Sequence, residues 1–367
     1  MASREKANLT GLQILRAVAA LLVVCHHSLK ESRPLFEHGI PAPLVVMGAS
    51  GVDIFFVISG FIMYYTNHNR FGRANVSGDF FIRRIIRIVP MYWICTLAIV
   101  FLHFTGLYRH MQITRESVAL SLLFLPTPNV VIGFGWTLNY EMYFYAVLAL
   151  WLLIGTRRSG ILGPLFSIPL IVIICQFLPP SEASYLGNPT VLEFCFGFAV
   201  AAAYTRGYIP DGLGRAALLV GIAGIVLGAF GPRIGGDQGG TAGLDPNIRF
   251  LLWGVPAVAL LVFALSIRPP ETYLGKSIVA MGDASYSIYL TQTFVIISYA
   301  RILKTNVLLD VPRPICILIP VVVSVLVGLA SYHIIERPMN EHLKTWWKAS
   351  RSPVGVAARN REQLDAR

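Results

Sequence analysis

The sequence predicts an all-α, polytopic membrane protein of about ten transmembrane helices, with one further short interfacial or re-entrant helix. Three observations carry that reading. Of the 367 residues 55% are hydrophobic and only 13% charged, whereas soluble domains carry about 25% charged residues. Apolar runs of spanning length recur from one end of the chain to the other. Lys and Arg crowd into alternate connecting segments, the bias that orients membrane proteins. The net charge of +11 therefore has a topological origin, and no nucleic-acid partner is expected.

In chain order the apolar runs lie near 9–28, 46–66, 88–107, 136–155, 160–178, 190–205, 214–231, 250–267, 282–301 and 314–335. A shorter run, 117–126, ends at Pro126 and Pro128 and is too short to span. Arg70, Arg73, Arg83, Arg84 and Arg87 mark the segment 67–87 as cytoplasmic, and the basic tail matches it, so both termini are expected inside. The Gly-rich loop 232–249, with Asp237 and Asp245, then faces outward. An integral membrane domain of residues 1–336 and a basic cytoplasmic tail of residues 337–367 follow from the same count. Arg16 interrupts the first apolar run and no small-residue cleavage pattern follows it, which argues against a cleaved signal peptide. Cys25, Cys95, Cys175, Cys195 and Cys316 all fall inside apolar runs without metal-ligand spacing, so neither a disulfide framework nor a metal is expected.

The first run carries two groups that lipid does not hold cheaply. At about 100° per residue, His27 comes round to within about 20° of Arg16, roughly 16.5 Å along the helix, while His26 points about 80° away. Ala19, Ala20 and Val23 leave a shallow groove between them. Ionisable groups inside a span face protein or water, so this helix face is a candidate passage joining a cytoplasmic donor to an external acceptor. Snorkelling of Arg16 to the headgroups is the plainer alternative.

Further polar groups frame that passage. Asp53, in Gly51-Val-Asp-Ile-Phe, sits near the depth of His27 as a substrate contact or a helix cap, and Gly60 allows close helix approach. Arg83 and Arg87, one turn apart, suit a phosphate-bearing ligand, and positive-inside anchoring explains them equally. Glu141, following Trp136 in Gly-Trp-Thr-Leu-Asn-Tyr-Glu, is costly in a span unless paired, and His27 is its expected partner in a base-and-orienter pair. Tyr286, Tyr289 and Gln292 recur every third residue along one helix face, as ligand contacts or interhelical hydrogen bonds. Glu193 and His103 are further intramembrane ionisable groups without a surrounding motif.

Taken together these motifs resemble acyltransferase family 3, the integral-membrane O-acyltransferases. The likeness rests on the Arg16-x10-His27 pattern, Gly51 to Phe61, Arg83 to Trp93, Trp136 to Tyr145, Ser285 to Leu290 and Glu336-Arg337-Pro338. The opening Leu-Gln-Ile-Leu-Arg-Ala-Val-Ala-Ala is most similar to the branch that acetylates bacterial exopolysaccharides such as succinoglycan. The resemblance implies transfer of an acyl group, usually acetyl from cytoplasmic acetyl-CoA, to a hydroxyl of a sugar or lipid-linked oligosaccharide at the outer face of the bacterial cytoplasmic membrane. Polysaccharide assembly proteins would be the natural partners. It ties His27, Arg16 and Glu141 to catalysis and the Arg83, Arg84 and Arg87 cluster to coenzyme A. Asp53, Trp136, Tyr286, Tyr289 and Gln292 are the expected substrate contacts. Where many members have histidine this chain has Gln292, which excludes a second catalytic histidine there. The appended periplasmic domain of longer members is also not expected. The rivals are a proton-coupled secondary transporter, which would carry internal repeats and paired broken helices, and an exporter of acyl groups serving a separate transferase.

Overall fold

A computed structural model describes residues 2–36, 38–73, 76–108, 111–125, 130–178, 185–232, 244–308 and 310–350. Regular structure in these residues is helical, and no β-strand pairs with another. The helices are α1 (Ala2–Ser32), α2 (Ala42–Met47), α3 (Ser50–Asn67), α4 (Val76–Phe104), α5 (Arg115–Leu122), α6 (Trp136–Ile154) and α7 (Arg157–Cys175). They continue as α8 (Leu192–Thr205), α9 (Gly214–Gly228), α10 (Pro246–Ser266), α11 (Tyr273–Asp283), α12 (Ser285–Ile302) and α13 (Arg313–Ala349).

Every predicted apolar run coincides with a helix. Among the described residues six helical segments are by themselves long and apolar enough to cross a membrane, fewer than the ten expected: Thr10–Leu35, Ala42–Asn67, Val76–Phe104, Trp136–Ile154, Pro246–Ser266 and Arg313–Ala349. The apolar parts of α7, α8 and α9 are shorter than the roughly 20 residues a bilayer core requires. Helix α12 is polar for a physical reason: Ser285, Ser287, Tyr289, Thr291, Gln292 and Thr293 are all buried and face protein. Phe101, Phe104, Phe166, Leu219 and Leu227 remain exposed on the outer surface, an arrangement water would penalise and lipid accepts.

The short predicted helix is α5, started by a capping box in which Thr114 and Ser117 exchange hydrogen bonds, and tied to α4 by Trp93 Nε1 donating to the Leu122 carbonyl. Pro126 and Pro128 lie outside the described residues, as does Asp237. Helix α11 has no counterpart among the predicted runs. The tail boundary at Arg337 falls inside continuous helix, because α13 passes through a π-helical turn at Tyr332–Glu336 and runs on to Ala349 with Asn340 buried.

Helix α1 is the hub, packed against α2, α3 and α10 to α13. Small residues let these backbones meet. A Cβ on Gly60 would fall 2.0 Å from the Phe194 carbonyl oxygen and one on Gly197 1.8 Å from that of Val57, so α3 and α8 interlock by reciprocal glycines.

Candidate active site

Two cavities lie back to back beside α1. The first, of about 100 Å³, is lined by Arg16 from α1, Ser59 from α3, Arg84 and Arg87 from α4, Glu141 and Tyr145 from α6, and Tyr286 from α12. The second, of about 430 Å³, is lined by His26, His27 and Lys30 from α1, with Phe134, Trp136 and Arg249 opposite. Val52 and Tyr289 border both, so they form the common wall. Phe55 meets Tyr289 edge to face at 6.0 Å between ring centroids, and the Tyr289 hydroxyl contacts Thr137 Oγ1 at 2.8 Å and donates to the Phe134 carbonyl at 3.0 Å. These contacts close the wall.

Helix α1 thus presents Arg16 to one cavity and His27 to the other, so the single passage expected from the eleven-residue spacing is divided by a wall. Arg16 is buried, donates from Nε to Ser285 Oγ at 3.1 Å, and lies within electrostatic reach of Arg87, Glu141, Glu336 and Asp283. The His27 ring packs on Phe134 at 5.2 Å and edge-on to His26 at 4.9 Å. His26 also borders the cavity, but its Nδ1 is spent on the Val45 carbonyl at 2.7 Å and the residue is buried. That bond gives His26 a packing role that His27 lacks.

Glu141 is not beside His27. It accepts hydrogen bonds from Ser59 Oγ at 3.0 Å and from the Tyr145 hydroxyl, in the cavity that holds Arg16 and Arg84. The expected pairing fails on axial position: Trp136, at the start of α6, reaches the His27 cavity, and Glu141 lies five residues deeper, about 7.5 Å along the axis.

The arginine cluster divides. Arg84 and Arg87 line the first cavity, with Arg84 stacked near the rings of Phe80 and Tyr145. Arg83 turns away to Asp79, which also takes Arg70 at 2.7 Å. Asp53 is fully buried and held by Arg249 in a fork, Nε to Oδ1 at 2.9 Å and Nη2 to Oδ2 at 2.8 Å. Nη2 also reaches the Ala49 carbonyl, and Glu193, equally buried, lies beside the pair. Asp53 therefore anchors Arg249 and borders neither cavity. The Tyr286 hydroxyl donates to the Ile88 carbonyl at 2.7 Å while its side chain lines the first cavity. Gln292 is fully buried, donates to the Tyr289 carbonyl at 3.0 Å, and borders neither cavity. His103 is engaged outside both cavities, its Nδ1 3.0 Å from the Tyr108 carbonyl.

Arg249 and Lys30 are the site residues that sequence reasoning passed over, Arg249 because it was placed in an outer loop. A signal for it existed: Asp245 followed by Pro246 is a helix start, and Asp245 does accept from the Asn247 amide, which sets Arg249 inside the first turn. Glu336 sat in a recognised motif without a role. It is buried, accepts from Ser287 Oγ, and faces Arg16 and Arg87.

Among the described residues no cluster of His, Cys, Asp and Glu could hold a metal ion. A helical membrane body with a basic cavity backing onto an imidazole-bearing one suits transfer of a group between two substrates held on opposite sides of a wall. The acyltransferase domain of acyltransferase family 3 matches residues 9–333, and the chain belongs to that family. It is 31% identical over 327 residues to the exopolysaccharide production protein ExoZ of Rhizobium meliloti (strain 1021), covering 86% of this chain and 96% of that protein. Protein 2 in the picA locus of Rhizobium radiobacter is 27% identical over 171 residues, 40% of this chain and 84% of that protein. No solved structure gives a significant match. The protein is accordingly a multi-pass membrane O-acyltransferase, and the transporter reading is set aside.

Proposed function

We propose that the protein transfers an acyl group, acetyl in the simplest case, from cytoplasmic acyl-CoA to a hydroxyl of an exopolysaccharide sugar, at the outer side of the bacterial cytoplasmic membrane. The observation that carries the reading is the shared wall of Val52 and Tyr289 between a cavity with three arginines and one with an unspent imidazole. Arg84 and Arg87 meet the donor phosphates at the first cavity, where guanidinium forks suit phosphate oxygens. The pantetheine arm runs along Arg16 towards the wall. A turn of the Tyr289 or Phe55 ring admits the thioester to the second cavity. There His27 takes the proton of the acceptor hydroxyl as its oxygen bonds to the thioester carbonyl carbon and the carbon–sulfur bond breaks. The thiolate leaves beside Arg16 and takes up the proton that the His27 imidazolium gives back, which restores the neutral base and releases free CoA. Glu141, with Ser59 and Tyr145, keeps the arginine side of the passage electrically balanced and ordered.

The relative named for exopolysaccharide production supports the acceptor class. The test supplies labelled acetyl-CoA to inverted membrane vesicles whose lumen encloses polysaccharide from a strain lacking the gene. Label in sugar esters, together with one acyl mass missing from the polysaccharide of that strain, is the expected result. Label that stays on CoA, or polysaccharide of unchanged mass, would overturn the reading.

A further inference from the structure

Resting on the reading of the second cavity as the acceptor site, we infer that it contains an anion subsite at Lys30 and selects an acceptor bearing a negative charge next to the hydroxyl that is acylated. The cavity is bordered by His26, His27, Lys30 and Arg249, and among the described residues no Asp or Glu lines it. Arg249 is already matched by Asp53 through two hydrogen bonds. Lys30 is not matched. Among the described residues no carboxylate forms an ion pair with it, and Glu31, its neighbour in sequence and within electrostatic reach, is neither paired with it nor part of the lining. An ammonium partly withdrawn from water gains from a counter-charge, and the cavity of about 430 Å³ that it borders leaves room for a sugar that brings one.

The position of Lys30 narrows the acceptor further. It lies three residues after His27 on α1, so their Cβ atoms are about 5–6 Å apart on one face. An oxyanion on the ammonium and a hydroxyl on the imidazole must then belong to one sugar ring or to its immediate attachment. Trp136, also in the lining, offers an aromatic surface for that ring. The negative group is a carboxylate of an acidic sugar or the phosphate through which a sugar is joined to a lipid carrier. Both present the same oxygens to Lys30.

Binding without donor tests this separately from acyl transfer. Full-length protein in nanodiscs is titrated with three probes: oligosaccharides released from the polysaccharide of a strain lacking the gene with carboxylates intact, the same oligosaccharides with carboxylates reduced to alcohols, and the reduced form joined to polyprenyl diphosphate. The intact or the diphosphate-linked probe is expected to bind at least about tenfold tighter than the reduced free one, the worth of a charge-assisted contact. Which of the two does so identifies the source of the charge. Lys30→Gln should abolish the preference and Lys30→Arg retain it, both with unchanged acyl-CoA binding as the sign of an intact fold. Equal binding of all three probes, or a preference that survives Lys30→Gln, overturns the inference. Failure of labelled transfer with the preference intact would instead sink the acyltransfer chemistry assigned to His27.

Discussion

The two cavities along α1 are built on opposite electrostatic plans. In the first, Arg16, Arg84 and Arg87 are offset by Glu141 in the lining and by Glu336 and Asp283 behind it, so the basic charge is held in a network that exists before any ligand arrives. Beside the second, Asp53 is sealed in the core under Arg249 with Glu193 next to the pair, and Lys30 borders the open volume. A balanced cavity can accept and release a multiply charged donor by exchanging partners. An unbalanced one gains most from a substrate that supplies the missing charge. On the proposed assignment of the two cavities, donor and acceptor are recognised by different physics, although both sites grow from a single helix.

The largest test of this contrast is His27→Ala. Loss of a general base costs about 100-fold to 10,000-fold in rate, so labelled transfer in vesicles should fall into that range while the protein remains inserted. His26→Ala should instead lose the Val45 hydrogen bond and about 1 kcal/mol of stability, with most transfer preserved. Equal loss of transfer from both substitutions in well-inserted protein would refute the division between a packing imidazole and a reacting one.

Asp53→Asn addresses the sealed pair. Removing one partner of a buried ion pair costs about 3–5 kcal/mol, which should appear as a marked fall in the detergent melting temperature. Combining it with Arg249→Met should restore much of that loss. If Asp53→Asn melted like the parent and only raised the acceptor KM, Asp53 would be a substrate contact after all.

A smaller effect is expected at the donor mouth. Arg84→Gln or Arg87→Gln should raise the acyl-CoA KM about tenfold each, with kcat little changed, because charged hydrogen bonds to phosphate are worth about 1.5–3 kcal/mol. Arg83→Gln, whose charge is taken by Asp79, should stay within about twofold. A comparable KM rise in all three would restore the undivided cluster. The smallest change is expected from Gln292→Leu. The side chain borders neither cavity and its Oε1 has no partner, so melting should shift by no more than about 1 kcal/mol and transfer should persist.

What could be read from residue order alone was whatever a single helix decides internally. Composition and run length identified a helical membrane body, and the motif series identified its family. The period of 3.6 residues set Arg16 and His27 towards one side of α1, but it could not show that a wall divides that side into two cavities or that His26 borders the second one too. The polar faces on α4 and α12 were legible as ligand contacts, with positive-inside anchoring and interhelical hydrogen bonding as the alternatives. Only the tertiary structure decided which groups meet. Glu141 joined Arg16 and not His27, Asp53 was taken by an arginine 196 residues away, Arg83 was separated from Arg84 and Arg87, and Gln292 was packed out of reach. The physical reason is that helical periodicity fixes the direction of a side chain about its own axis but not the axial offset between neighbouring helices. One turn of offset, about 5.4 Å, is enough to move a charge from one cavity to the other.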